Sequence, residues 1–142
     1  MKPKIYIDGK DGTTGLQIYD RLAARSDIDL LLIDEDKRKD PAERKKLMAA
    51  ADIVFLCLPD AAAVEAVALA EGTNARIIDA STAHRTAPGW VYGFPELKKG
   101  QREAIAKAKY VANPGCHATG FIAIAAPLVQ AGVLPADADL CC

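Results

Sequence analysis

Residues 3–16 read PKIYIDGKDGTTGL, a short apolar strand pattern that runs into three regularly spaced glycines. A helical pattern follows from Leu16 to Ala24. Glycines let a backbone turn sharply and approach a pyrophosphate closely, and a helix N-terminus supplies anion-binding N–H groups. The spacing G-x-x-G-x-x-G varies the usual G-x-G-x-x-G, and any glycine-rich turn between a strand and a helix looks similar, but the strand–loop–helix order favours a dinucleotide phosphate loop. The cofactor-binding residues predicted from it are Gly9, Gly12, Thr13, Thr14 and Gly15.

Short apolar runs alternate with helical patterns along the rest of the chain. The predicted strands are 28–33, 53–58, 76–79 and 110–112, and the predicted helices are 41–51, 60–70, 97–108 and 121–133. Asp40 and Pro41 open the first of these helices, and Asp60 is expected to cap the next one. This alternation predicts a doubly wound, mostly parallel α/β sheet of the Rossmann-like type.

Length and charge narrow the possible function classes. With 142 residues, of which 51% are apolar, the chain is long enough for one domain with a sizeable core, and we expect one dinucleotide-binding domain over residues 1–142. Its 18 basic and 19 acidic residues give a net charge of −1, which offers no electrostatic attraction to nucleic acid or an anionic membrane. No signal-peptide pattern opens the chain, and the longest apolar stretch, 121–134, is interrupted by Pro127 and Gly132 and is predicted to be a buried helix.

The cysteines and histidines show no spacing typical of disulfides or metal sites. Cys57 lies inside the apolar run 53–58, and Cys141 and Cys142 have no assigned role. Because His84 and His117 are the only histidines, spacing assembles no metal-ligand cluster. This usage predicts reduced thiols and a cytoplasmic location.

The fourth cysteine stands in a different setting. Residues 113–120 read NPGCHATG, in which a Pro-Gly turn places Cys116 at the N-terminus of the last helical pattern. The helix macrodipole and the free N–H groups at that position favour a thiolate, which can attack a carbonyl group. The alternative is a small apolar residue that fills a strand-to-helix corner.

Ligands of such sheets bind at the carboxyl ends of the strands, near the switch in strand order. The loop 9–15 and the segments 58–60, 79–82 and 113–116 should all emerge at that edge. A cofactor site and a thiol would then share one rim. A thiolate beside a nicotinamide can hold an acyl group as a thioester while a hydride passes to or from the acyl carbon.

Four segments of the chain, in order, carry a family resemblance. They read DGKDGTTGLQI at 8–18, DASTAHR at 79–85, YGFPEL at 92–97 and NPGC at 113–116. They resemble the N-acetyl-gamma-glutamyl-phosphate reductases of arginine biosynthesis, in their shorter bacterial form. The resemblance implies NADPH-dependent reduction of N-acetylglutamyl 5-phosphate to the semialdehyde, with release of phosphate. It also implies a second, substrate-binding domain outside this chain that carries the acid/base histidine, a homo-oligomer at full length, and little turnover by residues 1–142 alone.

The resemblance assigns roles to residues of two loops. Cys116 would attack the acyl phosphate and form the thioester. Asn113 would orient the turn or the acyl oxygen, although an asparagine before Pro-Gly is also a common turn former. Ser81 and Arg85 would contact the substrate, with Arg85 in a bidentate contact to a phosphate or carboxylate; the alternative is a capped turn with a solvated arginine.

Two polar residues near these segments receive no catalytic role. Adjacent residues at the start of a helix project about 100° apart, so His117 should point away from the Cys116 sulfur and is not expected to be its base. Glu96 either orients a neighbouring group or forms a structural salt bridge.

The charged run 34–39 follows the second predicted strand, where cofactor selectivity is normally set. An acidic residue there hydrogen-bonds the ribose 2′-hydroxyl of NAD, whereas an arginine accommodates the 2′-phosphate of NADP. The basic residues Lys37, Arg38 and Lys39 favour NADP, with Arg38 as the best single candidate, and the resemblance supports this cofactor. A solvated charge run is the alternative.

Three other interpretations stay open at this point. Aspartate-semialdehyde dehydrogenases share this layout, although YGFPEL and NPGC fit the acetylglutamyl enzymes better. A nucleotide-binding module without catalysis is the second. A cysteine hydrolase is the third, but it needs a base near Cys116, and neither histidine is placed convincingly for that.

Overall fold

Strands and helices alternate along the chain as the apolar runs predict. The computed structural model describes residues 2–141. Its strands are β1 Lys4–Asp8, β2 Asp29–Leu31, β3 Ile53–Leu56, β4 Arg76–Asp79, β5 Val91–Tyr92 and β6 Tyr110–Ala112. Its α-helices are α1 Thr13–Ala23, α2 Pro41–Ala50, α3 Asp60–Leu69, α4 Gln101–Lys107 and α5 Cys116–Gln130, and a 3₁₀ turn covers Glu35–Lys37.

The six strands form a sheet in the order β2-β1-β3-β4-β6-β5, and every pairing is parallel. The predicted doubly wound parallel sheet is therefore confirmed. Because β2 lies on one side of β1 and β3 on the other, the strand order switches between β1 and β3. Asp8 is paired with Leu56, Leu56 with Asp79, and Asp79 with Ala112. Four strands thus end level at one edge, which brings the four predicted loops to a common rim.

The main cluster of buried side chains lies on one face of the sheet. Val54 and Leu56 of β3 are fully buried, whereas Phe55, which points to the opposite face, is half-buried. Met48 of α2 and Ala66 of α3 pack in the same buried cluster as the two β3 side chains. These two helices therefore hold the strands whose ends carry the rim.

The starts of two helices differ from the prediction. Helix α4 begins at Gln101 rather than at Leu97, because Gly100 has a φ of +83°, which no α-helical residue adopts. Asp60 begins α3 but does not cap it; its carboxylate accepts hydrogen bonds from the backbone N–H and the hydroxyl of Thr82 instead. The predicted cap at Asp60 is therefore wrong.

The start of α2 follows the prediction. The carboxylate of Asp40 accepts a hydrogen bond from the backbone N–H of Ala42 at 2.9 Å, and Pro41 occupies the first turn. The strand β5 was not predicted, since its two residues, Val91 and Tyr92, are too few to form a pattern.

The last helix, α5, is not buried, which contradicts the prediction for 121–134. None of its residues is buried, and Ile124 is 70% exposed. Apolar residues occur around the whole helix, a pattern typical of a helix that is covered on every side. The described residues cover only part of that surface, since Phe121, Ile124, Leu128 and Val129 are all exposed. Within residues 2–141, no helix is long and apolar enough to cross a membrane.

Candidate functional site

A cavity of about 490 Å³ opens beside the ends of β1 and β3, where the strand order switches. Its walls come from the glycine loop after β1, the segment after β3 and the chain that leads from β2 into α2. Ligands of doubly wound sheets bind at such a switch point. The cavity therefore lies at the position predicted for a cofactor.

At two positions of the loop only glycine fits, because other backbone atoms lie too close to leave room for a side chain. Gly9 has a φ of +85°, and a Cβ atom there would lie 2.3 Å from the carbonyl oxygen of Cys57. A Cβ atom on Gly15 would lie 2.2 Å from the carbonyl oxygen of Gly9. Gly12 differs, because the nearest atom to its Cβ position is 3.5 Å away, an ordinary van der Waals distance. Gly9 and Gly15 therefore shape the loop, whereas Gly12 lines the cavity without being needed for packing.

Helix α1 presents its N-terminus to this loop. Gly12 is its N-cap residue, and its first turn contains no acidic side chain. The first N–H groups of a helix have no partner within the helix and attract anions. The helix begins at Thr13, three residues before the predicted start at Leu16, so Thr13, Thr14 and Gly15 all belong to its first turn. This arrangement fits a pyrophosphate.

Basic side chains line the other wall of the cavity. Arg38 and Lys39, which the sequence links to NADP, are both among them. The guanidinium of Arg38 lies 2.7 Å from the carboxylate of Asp11 at the exposed mouth. Because Asp11 belongs to the glycine loop, this ion pair connects the predicted selectivity residue to that loop.

A buried ion pair below the loop was not predicted from the sequence. The guanidinium of Arg44 lies 2.7 Å from the carboxylate of Asp8, and the two side chains are 13% and 5% exposed. The hydroxyl of Tyr6 donates to the same carboxylate at 3.4 Å. Burial is the largest cause that raises the pKa of Tyr6 above its usual value, and the negative charge of Asp8 adds to it. A signal for the pair existed, since an acidic residue that ends a buried strand needs a partner.

Cys57 also lines the cavity, but it is a poor nucleophile. It is half-buried, and burial raises its pKa to about 11, with further contributions from the negative charges of Asp79 and Asp8. A thiol with this pKa is almost entirely protonated near neutral pH.

The loop after β4 is fixed by a buried carboxylate. Asp79 is fully buried, and it accepts hydrogen bonds from the backbone N–H of Ser81 at 2.9 Å and from its hydroxyl at 2.6 Å. The Nδ1 atom of His84 lies 2.6 Å from the same carboxylate, and its ring stacks on Trp90 with a centroid distance of 4.1 Å. The hydroxyl of Ser81 is therefore engaged within the loop, and its role toward a substrate stays a prediction.

The same loop brings Arg85 to the Cys116 turn. The guanidinium lies against Gly115, since a Cβ atom there would lie 2.5 Å from Nη1 of Arg85. Gly115 is the N-cap residue of α5, and the exposed Cys116 is the first residue of that helix. The N–H of Asn113 donates to the carbonyl oxygen of Asp79 at 2.7 Å, and its side-chain amide donates to that of Pro114 at 3.2 Å. The structure thus places Arg85, Asn113 and Cys116 together.

The thiol and the glycine loop share one edge of the sheet but line different cavities. Cys116 stands at the end of an apolar groove of about 520 Å³, which Phe121, Ile124, Leu128 and Leu140 also line. His117 follows Cys116 on α5, is exposed and lines the same groove. Glu96 forms an exposed ion pair with Arg102 at 3.4 Å, as one of its two predicted roles requires.

Sequence comparisons agree with this arrangement. A family model described as semialdehyde dehydrogenase, NAD binding domain, matches residues 31–108. A protein of Trichormus variabilis is 60% identical over 136 residues, which are 96% of this chain and 42% of the relative. A protein of Brucella ovis is 60% identical over 138 residues, which are 96% of this chain and 44% of the relative. Both relatives are named N-acetyl-gamma-glutamyl-phosphate reductase, which confirms the resemblance seen in the sequence.

Solved structures show the same fold. Aspartate semialdehyde dehydrogenase II of Vibrio cholerae, in a structure described as complexed with ASA, matches with a TM-score of 0.69 at 15% identity. The match covers 92% of this chain and 47% of the solved chain. Aspartate semialdehyde dehydrogenase of Francisella tularensis has a TM-score of 0.67 at 17% identity and covers 93% of this chain and 42% of its own. With its glycine loop, its parallel sheet and a family match over more than half of its length, the chain belongs to the semialdehyde dehydrogenase NAD-binding domain family.

Proposed function

We propose that this chain is the NADP-binding, nucleophile-bearing domain of an N-acetyl-gamma-glutamyl-phosphate reductase. The observation that carries the proposal is the common rim, where the glycine loop and the Cys116 turn both follow level strand ends of one sheet. The chain spans less than half the length of the two relatives described above, so the remaining substrate contacts and the acid/base group are assigned to a further domain of the whole enzyme.

The cofactor fits the cavity at the β1–β3 switch. Gly12, Thr13 and Thr14 would hold the pyrophosphate at the N-terminus of α1, and Arg38 would bind the 2′-phosphate, which selects NADP over NAD. The bound nicotinamide supplies the hydride that reduces the acyl carbon. The protein's own contribution is a loop whose shape depends on Gly9 and Gly15.

The nucleophile is Cys116. Its thiolate attacks the carbonyl carbon of N-acetylglutamyl 5-phosphate, which forms a carbon–sulfur bond and breaks the bond between that carbon and the phosphate oxygen. Inorganic phosphate leaves with the bonding electron pair, and a thioester remains on Cys116. Because Cys116 is exposed at the first position of α5, the sulfur is accessible to an acyl phosphate.

Arg85, Asn113 and Ser81 are proposed to bind the substrate. The guanidinium of Arg85 offers two parallel N–H groups to a phosphate or carboxylate beside Cys116. Asn113 stands three residues before the nucleophile and keeps its turn closed through the hydrogen bond to Pro114. Ser81 lies in the loop that carries Arg85, and its hydroxyl donates to Asp79, which helps to fix that loop.

Phosphate release tests this function. We expect the chain to release phosphate from N-acetylglutamyl 5-phosphate without cofactor, up to about one equivalent, and to gain the acetylglutamyl mass on the Cys116 peptide. The Cys116→Ser variant should do neither. Equal phosphate release by both proteins would contradict the proposal. Aspartyl phosphate in the same assay distinguishes the related aspartate-semialdehyde chemistry, which the solved structures represent in fold only.

Turnover distinguishes the domain from a complete enzyme. General acid/base help contributes about 10²–10⁴-fold to a rate, and substrate positioning contributes as much or more. We therefore expect the 142-residue chain to bind NADPH but to form almost no NADPH from NADP, the semialdehyde and phosphate. Robust turnover that Cys116→Ser abolishes would show that no further domain is required.

A further inference from the structure

The Cα atom of Gly115 is covered by a guanidinium. A Cβ atom at this position would lie 2.5 Å from Nη1 of Arg85 and 2.9 Å from both its Cζ and Nη2. All three neighbours belong to one planar group, so the guanidinium lies directly over the glycine. Any side chain at position 115 would take its place.

The carboxylate of Asp60 interacts with the charge of Arg85, but among the described residues no side chain forms a close ion pair with Arg85. Its Nε atom is buried and has no hydrogen-bond partner among the described residues. The residue before it, His84, is anchored by the carboxylate of Asp79 and by the ring of Trp90. The backbone at 84–85 is therefore fixed, and the space over Gly115 decides where the guanidinium can lie.

We propose that Gly115 is a positioning residue for Arg85. Its lack of a side chain lets the guanidinium rest on the turn from which Cys116 begins, and this places a positive charge next to the thiol. This charge raises the rate at which Cys116 reacts with an anionic reagent relative to a neutral reagent of the same size. The inference rests on the proposed function, in which Cys116 is the nucleophile, but it concerns a residue to which that function assigns no role.

The rates at which Cys116 reacts with two alkylating reagents report the charge beside its thiol. Iodoacetate is anionic and iodoacetamide is neutral, and in both the Cys116 thiolate displaces iodide as the carbon–sulfur bond forms. Rates at Cys116 in the 142-residue chain are followed by peptide-resolved mass spectrometry, which separates it from the other cysteines. The ratio of the two rates reports the local charge and cancels changes in exposure or in the ionised fraction of the thiol. A distorted turn alters both rates alike and leaves the ratio unchanged.

Matched variants give the expected results. Gly115→Ala and Arg85→Gln should each lower the iodoacetate-to-iodoacetamide ratio about three- to fivefold, which corresponds to one charge a few ångströms away near a solvated surface. The double variant should show no further fall. Gly120→Ala, on the same helix with no atom within 4 Å of its Cβ position, should keep the wild-type ratio.

Thermal unfolding gives an independent measurement. The atoms that conflict with a Cβ at 115 belong to the end of a flexible side chain, so Gly115→Ala should lower the melting temperature less in the Arg85→Gln background than in the wild type. The proposal is overturned if Arg85→Gln keeps the wild-type ratio, if Gly115→Ala keeps it, or if Gly115→Ala costs the same melting temperature in both backgrounds. Neither experiment uses an acyl phosphate, so failure of the reductase assay is a separate result.

Discussion

Arg44 donates two hydrogen bonds to one carboxylate oxygen of Asp8, from Nε at 3.1 Å and from Nη2 at 2.7 Å. Asp8 is the last residue of β1 and directly precedes the glycine loop, whereas Arg44 belongs to α2. The pair therefore ties α2 to the strand that carries the glycine loop. It also leaves a guanidinium in the wall of the cavity beside that loop.

Removal of this guanidinium should destabilise the fold. We expect Arg44→Met to lower the free energy of unfolding by about 3 kcal/mol, because it leaves the buried Asp8 carboxylate uncompensated. Lys46→Met is the matched control, since Lys46 forms an exposed ion pair with Glu43 on the same helix, and it should change stability by about 0.5 kcal/mol or less. Urea unfolding followed by circular dichroism measures both; equal midpoints for the two variants would refute the structural role of Arg44.

Substitutions at two glycines of the loop should affect cofactor binding and protein stability separately. Gly12→Val should weaken NADPH binding at least about tenfold and leave the circular dichroism spectrum unchanged, because its Cβ meets no close atom in the protein while it enters the cavity. Gly15→Ala should instead lower stability by about 1–3 kcal/mol, since its Cβ overlaps the backbone of Gly9. Calorimetric titration with NADPH and thermal melting check the pair. Unchanged affinity in Gly12→Val would exclude the loop as the pyrophosphate site.

Arg38 should decide the choice of cofactor. Arg38→Gln removes the charge offered to the 2′-phosphate, so the affinity for NADPH should fall about tenfold while that for NADH stays within about twofold. Asp11→Asn should have the opposite effect, because Asp11 competes with the phosphate for the same guanidinium. Arg102→Gln, in an exposed pair far along the sequence, serves as the control. Equal wild-type affinities for the two cofactors would disprove the selectivity.

The alkylation rates of Cys57 and Cys116 should depend differently on pH. Because burial raises the pKa of Cys57 to about 11, iodoacetamide should label it slowly at pH 7 and about tenfold faster with each pH unit up to pH 10, whereas the exposed Cys116 should already react at neutral pH. A thiol that titrates near 9 when unfolded and near 11 when folded stabilises the fold below pH 9, and this stability is lost as the pH rises from about 9 to about 11.

The Cys57→Ala variant isolates the contribution of this thiol to the pH dependence of stability. Tyr6 has a raised pKa as well and also contributes in alkaline solution, so the comparison with the variant assigns the part that belongs to the thiol. Unfolding midpoints measured at pH 8, 9, 10 and 11 should fall less steeply for Cys57→Ala than for the wild type. Parallel pH profiles would show that Cys57 does not titrate with folding.

The architecture could be predicted because the apolar runs are strong local signals. Runs such as 53–58 are too short for helices and are followed by Pro59 or by a glycine loop, so their alternation with helical patterns leaves few topologies. Once the sheet is parallel, the carboxyl ends of its strands must share an edge, and this is why the rim followed from the sequence. The exposure of α5 could not be predicted, because its composition shows that the helix is apolar but not what lies next to it.

Fewer of the side-chain contacts of the site could be predicted from the sequence. Asp8 and Asp79 both end buried strands, which signals a need for partners, but the sequence does not identify those partners. Arg44 lies 36 residues from Asp8, and the guanidinium of Arg85 reaches Gly115 across thirty residues of chain. Such contacts depend on the three-dimensional packing of α2 and of the loop after β4.

The parallel sheet also has a consequence for how the chain reaches its fold. A hairpin, which forms from neighbouring residues within microseconds, cannot start a sheet in which every pairing is parallel. The pairing of β1 with β3 begins with Ile5 opposite Ile53, 48 residues apart. Sheets built from such distant pairings fold in milliseconds to seconds, and their apolar strands stay unpaired meanwhile. Val54 and Leu56, which are fully buried in the folded domain, are therefore exposed during synthesis, when aggregation competes with folding and chaperones can bind.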